Sequence, residues 1–193
     1  LEEIMAYSKV CKAYFTFMEL LMRNHPAVLV ELGTPVLHHI CNSLQSGLKC
    51  HEVAVSSQCA AALEHLASFH FRQMTDEGDG PIKQQFQAHL AREPELFSSQ
   101  LAILLNMIVF EDCANQWSLS RPLLALILSN EAFYKNWKDS VLAQQANMPQ
   151  KQQKLVEAFD KLMNDIQPNL DAKNRDKFTQ NLTLFRHEVK VMF

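Results

Sequence analysis

The stretch FEDCANQWSLSRPLLALILSNE, Phe110 to Glu131, sets a polar, tryptophan-containing connector between two strongly apolar helical runs. Before it, Leu96, Phe97, Leu101, Leu104, Leu105 and Ile108 recur at helical spacing, which predicts a helix from Pro94 to about Val109. After it, Leu123 to Leu128 is apolar nearly all round, which a helix tolerates only when buried on several sides. The connector is expected to end at Pro122, which restarts the buried helix. A helix, a brief connector and a second buried helix make the pattern of helices packed on helices.

The same pattern extends both ways. Ile4, Tyr7, Cys11, Tyr14, Phe15, Met18, Leu21 and Met22 predict one long amphipathic helix from Glu2 to Arg23. A short helix from Pro26 to about Leu32 follows. Thr34 is then expected to cap, and Pro35 to start, a helix that stops at Gly47. Val55, Cys59, Ala62, Leu63, Leu66 and Phe69 lie on one face of a run from Cys50 to Met74. The segment Thr75 to Pro81 is the flexible loop by composition, and Ile82 to Arg92 is a short helix beyond it. Toward the other end, Glu131 to Gln145 is helical, as is a run carrying Leu155, Val156, Phe159, Leu162, Met163 and Ile166 that Pro168 and Asn169 close. Asp171 is the natural N-cap of a last helix with Phe178, Leu182, Phe185 and Val189 on its face.

No segment alternates with period two for long enough to be a strand. The expected fold is therefore all-α, a HEAT-like superhelix (an α-α solenoid) of antiparallel helix pairs, with residues 1–193 as one region of about four pairs. Such units run to about 40–47 residues, and each completes its core only by stacking on neighbours. A closed helical bundle is the alternative. The opening at Leu1, already inside a helical pattern, and the apolar finish at Val191, Met192 and Phe193 are expected to be cuts through a longer polypeptide.

Composition narrows the function. Apolar residues make up 48% of 193, enough for a real core, and four glycines and seven prolines leave few turns. The net charge of −3 supplies no basic field for nucleic acid. The longest apolar run, Pro122 to Leu128, is far short of the roughly 20 residues of a membrane span. Cys11, Cys41, Cys50, Cys59 and Cys113 sit singly inside helical patterns, which reads as reduced, buried thiols.

Candidate chemistry is sparse. His38, His39, Cys41, Cys50 and His51, then Cys59, His65 and His70, cluster along the sequence without the short ligand steps that zinc uses, so no metal is expected. Glu111 and Asp112 are adjacent acids at a helix end, with no nucleophile, phosphate loop or cofactor fingerprint beside them. No catalytic residue, cofactor or enzymatic activity is assigned. Lys173, Arg175, Lys177, Arg186 and Lys190 are expected to form a solvated face among Asp171, Asp176 and Glu188, or else to meet an acidic partner. Trp117 is expected to fold back over helix ends and plug a repeat junction, the rival role being a binding anchor. Asn115 and Gln116 are expected to satisfy helix-end carbonyls and amides. Tyr14, Phe15, Phe17, Met18 and Met22 are expected in the core or at a seam facing a preceding repeat.

Phe110 to Glu131 resembles a stretch near the C-terminus of receptors of the exportin-7 branch of the importin-β-like nuclear transport family. A second stretch, KNRDKFTQNLTLFRHEV from Lys173 to Val189, resembles the last helix of that family. The resemblance implies a HEAT-repeat receptor that shuttles between nucleus and cytoplasm through nuclear pores and binds cargo together with Ran-GTP. It places the principal Ran contacts in N-terminal repeats, so no Ran-binding residue is assigned to this sequence. It implies cargo and nuclear pore proteins as partners, and neither nucleic acid nor membrane insertion. The region at hand is then the C-terminal arch and terminal cap, the final helix turning Lys177, Gln180, Asn181 and Glu188 outward. A helical-repeat scaffold unrelated to transport is the alternative, and a small helical enzyme the third reading. Cargo identity and partner-contact residues are not legible.

Overall fold

A computed structural model describes residues 2–111 and 115–193. The described residues form eleven helices: α1 (Glu2–Ala6), α2 (Ser8–Asn24), α3 (Pro26–Glu31), α4 (Thr34–Leu48), α5 (Val53–Thr75), α6 (Pro81–Arg92), α7 (Ser98–Phe110), α8 (Gln116–Ser129), α9 (Glu131–Ala143), α10 (Pro149–Met163) and α11 (Ala172–Lys190). Among the described residues there is no strand, and no helix is long and apolar enough to cross a membrane.

Prolines in the first turn open α3, α4, α6 and α10, where the missing N–H is one the helix leaves unpaired anyway. The long helices α2, α5, α8 and α11 pack side by side in that order. The pairs α4–α5, α7–α8 and α10–α11 join this layer to a second one, in which α3 meets α6, α4 meets α7, and α7 meets α9. This is an all-α stack of antiparallel pairs, as expected. From α3 onward four hydrogen bonds share one register, whereas Thr16 of α2 meets Gln58 of α5 only 42 residues on. Val30 to His89, Cys41 to Gln100, Ser56 to Asn115 and Ser120 to Thr179 each link one element to its counterpart in the next unit, and each spans 59 residues. That interval exceeds the 40–47 of a bare pair because the short helices α3, α6 and α9 precede the pairs.

The core runs continuously between the layers. Phe15, Leu37, Leu44, Leu63, Phe97, Leu104, Leu124, Leu155, Phe178 and Leu182 are all fully buried. At about 25 cal/mol per Å², burying one such side chain contributes roughly 1.5–3 kcal/mol. Centrally placed α5 is shielded on most of its circumference, and its Ala60, Ala62, Ala67 and Ser68 let neighbouring backbones come close.

Several boundaries differ from the sequence expectations. The first helix is broken at Tyr7, whose backbone is extended. Gly47 does not stop α4. It lies inside the helix, where an added Cβ would come 2.7 Å from Phe15 Cζ and would also meet Cys59 Sγ, so only a hydrogen fits between α4, α2 and α5. Thr34 is the first residue of α4 and makes no cap; its hydroxyl turns to His89 instead. Pro94 to Phe97 form turns ahead of α7. α10 ends at Met163, because Asp165 takes a left-handed conformation (φ 59°), and Ile166 reaches the core from the turn.

The connector is also shorter than expected. α8 begins at Gln116, so Trp117 is helical and Pro122 is an interior residue of the helix. The polar run Gln116, Ser118, Ser120 and Arg121 is the outward side and seam of an ordinary helix, with Leu119 and Pro122 turned inward. Asp112 and Cys113 lie outside the described residues.

Candidate protein-binding surfaces

The four parallel helices meet along polar seams. Between α2 and α5, Gln58 Nε2 donates to Thr16 Oγ1 at 2.7 Å, Glu19 sits 3.3 Å from His65 Nε2, and Lys12 pairs with Glu52. Between α5 and α8, Asn115 Nδ2 donates to Ser56 Oγ at 2.9 Å, and Ser118 Oγ lies 3.2 Å from Ser57 Oγ. Between α8 and α11, Thr179 Oγ1 and Ser120 Oγ are 3.0 Å apart, and Arg121 stands 4.0 Å from Asp176. Asn115 therefore serves hydroxyls of the neighbouring unit, not the helix-end carbonyls assigned to it from sequence.

One contact skips a helix. Arg175, at the start of α11, forms an ion pair with Glu64 of α5, donates from Nη2 to Ser68 Oγ at 3.1 Å, and donates from Nε to the Leu170 carbonyl at 2.8 Å. In a flat layer α5 and α11 would lie two helix spacings apart, about 16–20 Å. The ion pair spans α8 and joins the start of α11 to α5, and both charges have little access to solvent. The final helix is thus not a uniformly solvated basic face. Arg175 and Arg186 are buried, and Arg186 Nη2 donates to the Glu111 carbonyl at 3.0 Å. Lys173 and Lys190 are exposed, and Lys177 stands 4.0 Å from Asp165. Of the expected outward residues, Asn181 is buried and donates to the carbonyls of Leu162 and Asn164, while Gln180 is exposed and Glu188 accepts from Lys161.

Trp117 is 70% exposed, so it plugs no junction. Among the first-helix aromatics, Phe15, Met18 and Met22 are buried, whereas Phe17 is exposed and joins Val10 and Leu20 in an apolar stripe along α2. The stripe lies at helical spacing on the side of α2 away from its buried face.

The titratable groups scatter. Among the described residues, no three His, Cys, Asp or Glu side chains gather as metal ligands would. His38 is 3.5 Å from Glu93, and His65 faces Glu19 as described. His70 is buried against Phe97 and Phe86, ring centroids 4.3 and 4.9 Å away, and burial lowers its pKa to about 4. Burial raises the Cys41 thiol to about 12 and pushes Cys59 up as well, so neither is a ready nucleophile. Sequence reasoning missed His89, which is buried between units. Its Nε2 donates to the Val30 carbonyl at 2.7 Å, so its Nδ1 accepts from the Thr34 hydroxyl at 2.8 Å. Nothing in its local pattern distinguishes it from a surface histidine. Glu111 borders a cleft of about 300 Å³ whose other walls include Arg186 and Phe193 and no histidine.

A larger cleft, about 1020 Å³, opens between α10, from its first turn to Lys161 in its last, and the end of α11. Its walls carry Lys151, Lys154 and Lys161, and its apolar surface comes from Met148, Val191 and Met192.

What the geometry offers is extended helical surface, and the known proteins that resemble the chain match nearly all of its sequence. Ran-binding protein 17 of Homo sapiens is 35% identical over 195 residues, covering 97% of this chain and 18% of that protein. Exportin-7-A of Xenopus laevis is 37% identical over 193 residues, with the same two coverages. The chain resembles exportin-7 along its length. Exportin-7 of Dictyostelium discoideum is more distant, 29% identical over 196 residues, which is all of this chain and 19% of that protein. The chain thus spans about 18% of the length of these exportin-7 and Ran-binding relatives. No protein-family model matches it, and no solved structure does.

Proposed function

We propose that this chain is the C-terminal arch of a nuclear export receptor of exportin-7 type. In this reading the full receptor binds Ran-GTP through upstream repeats, carries cargo proteins through the nuclear pore, and shuttles between nucleus and cytoplasm. The observation that carries the reading is the similarity, 35–37% across 97% of the chain, to proteins named for export and for Ran binding. The stacked helices support it in physical terms. A solenoid changes curvature in small steps at each seam, so Ran and cargo that favour one curvature raise each other's affinity without any bond being broken. The apolar stripe Val10, Phe17 and Leu20 is the seam on which the preceding unit docks.

The test is capture of the full-length receptor on Ran locked in its GTP or GDP form. Strong retention by the GTP form alone is expected. Equal retention by both forms, or by neither, leaves a helical scaffold unrelated to transport as the better reading.

A further inference from the structure

The cleft between α10 and α11 has the features of a docking groove for one kind of partner. It is formed by two antiparallel helices, and its volume, about 1020 Å³, is room for several side chains. Its apolar surface is thioether and branched aliphatic: Met148 is 51% and Val191 83% exposed, and Met192 also lines it. Methionines adapt their shape to what is laid on them, a property of helix-binding grooves.

The charge on the walls is unevenly satisfied. Lys161 is paired with Glu188 at 2.8 Å, and Glu157 accepts from Gln153 at 3.0 Å. Lys151 lies 4.3 Å over the Phe193 ring, and among the described residues neither it nor Lys154 forms an ion pair, unlike Lys161. The first turn of α10 adds to this field. Met148 gives it no side-chain cap, no acidic residue stands in it, and Pro149 leaves the Gln150 and Lys151 amides at a positive helix end. A locally cationic groove therefore sits on a chain of net charge −3. Glu157 and Glu188 on the same walls disfavour a polyphosphate backbone, whereas an occupant bearing spaced carboxylates and apolar side chains matches both parts of the lining.

We propose that this groove receives an acidic amphipathic helix of a partner protein. Its apolar side rests on Met148, Val191 and Met192, and its carboxylates meet Lys151, Lys154 and the start of α10. The inference does not depend on the transport reading, because Ran capture and groove occupancy are read separately.

The test is fluorescence anisotropy on the intact chain, with a labelled peptide of about five helical turns bearing Leu at helical spacing and Glu elsewhere. Two control peptides accompany it, one of the same composition in scrambled order and one with Lys in place of Glu. Saturable binding of the first peptide alone is expected, weakening as salt is raised. The variant K151E/K154E is expected to lower affinity about tenfold or more, while K135E/K173E, the same charge change elsewhere, leaves it intact. The milder K151Q/K154Q keeps the comparison valid if the reversal disturbs folding, and is expected to weaken binding in the same direction. Equal binding of the scrambled peptide, equal loss in both reversal variants, or no saturable binding overturns the proposal. So does concentration-dependent self-association that the peptide does not displace, because the groove's occupant is then a second copy of the chain.

Discussion

Arg175 reaches past α8 to Glu64, tying the first residues of α11 to the middle of α5 across an intervening helix. The two side chains are only 10% and 17% exposed, so the pair is screened far less than an ordinary surface ion pair. Around it, Ser68 and the Leu170 carbonyl complete the guanidinium's hydrogen bonds. Asn174 binds the Gln167 backbone on both sides and the Asn169 carbonyl, holding the turn from which Arg175 projects. The pair ties the last units together across α8.

Removing one partner leaves a charge with little access to water. Glu64→Gln is expected to destabilise the chain by about 3 kcal/mol in urea unfolding, and Arg175→Met by a similar amount. The double variant is expected to lose less than the sum, with a coupling above about 1 kcal/mol. Small-angle scattering is expected to show a larger maximum dimension for Glu64→Gln. Strictly additive losses with unchanged dimensions would remove the tying role.

His70 sets a pH dependence. Its folded pKa, about 4, lies below the 6.5 of an unfolded histidine because burial disfavours the cation. The unfolded chain therefore takes up a proton first as pH falls. The stabilisation is full above 6.5 and declines toward 4, by as much as about 3 kcal/mol. Neither ring nitrogen has a hydrogen-bond partner, so His70→Phe is expected to be neutral or stabilising at pH 7. Urea unfolding at pH 7 and at pH 4.5 should show a smaller acid loss in the variant than in the natural chain. Parallel losses would contradict the assignment.

Trp117→Ala is expected to change stability by no more than about 0.5 kcal/mol, as for exposed positions generally. A Trp closing a junction would cost about 3–5 kcal/mol on the same change. Thermal or urea unfolding of the single variant separates the two.

Deleting residues 171–193 is expected to abolish soluble, cooperative folding. Leu155, Phe159 and Leu162 on α10 are at most 1% exposed and face α11, so the deletion uncovers a row of apolar side chains. Sedimentation should show aggregates, and a truncated chain that stays monomeric and melts cooperatively would contradict this.

Helical periodicity reads well wherever an apolar stripe is strict. α10 shows this, its Leu155, Phe159 and Leu162 all lying in the core. It reads poorly where polarity itself is structural. Gln116 to Arg121 looked like a loop because its polar residues outnumber its apolar ones, yet they are the seam side of α8. Arg175 and Arg186 looked solvated because their partners, Glu64 and the Glu111 carbonyl, lie 111 and 75 residues away. No local pattern carries such a pairing. Thr34 has the chemistry of a cap, but the His89 of the next unit takes its hydroxyl. The surfaces were least legible of all, since exposure of Trp117, or of the α2 stripe, follows from which neighbours are present.

The hydroxyl seams have a mechanical consequence. Ser57 with Ser118, Ser120 with Thr179, and Thr16 with Gln58 are part-buried contacts between neutral groups, each a modest net contribution to stability. A seam of this kind holds neighbouring helices by neutral hydroxyl and amide contacts, where the Arg175 and Glu64 contact is ionic. Along the stack of long helices the neutral seams each join neighbours, and the single rivet of Arg175 on Glu64 joins helices that are not neighbours.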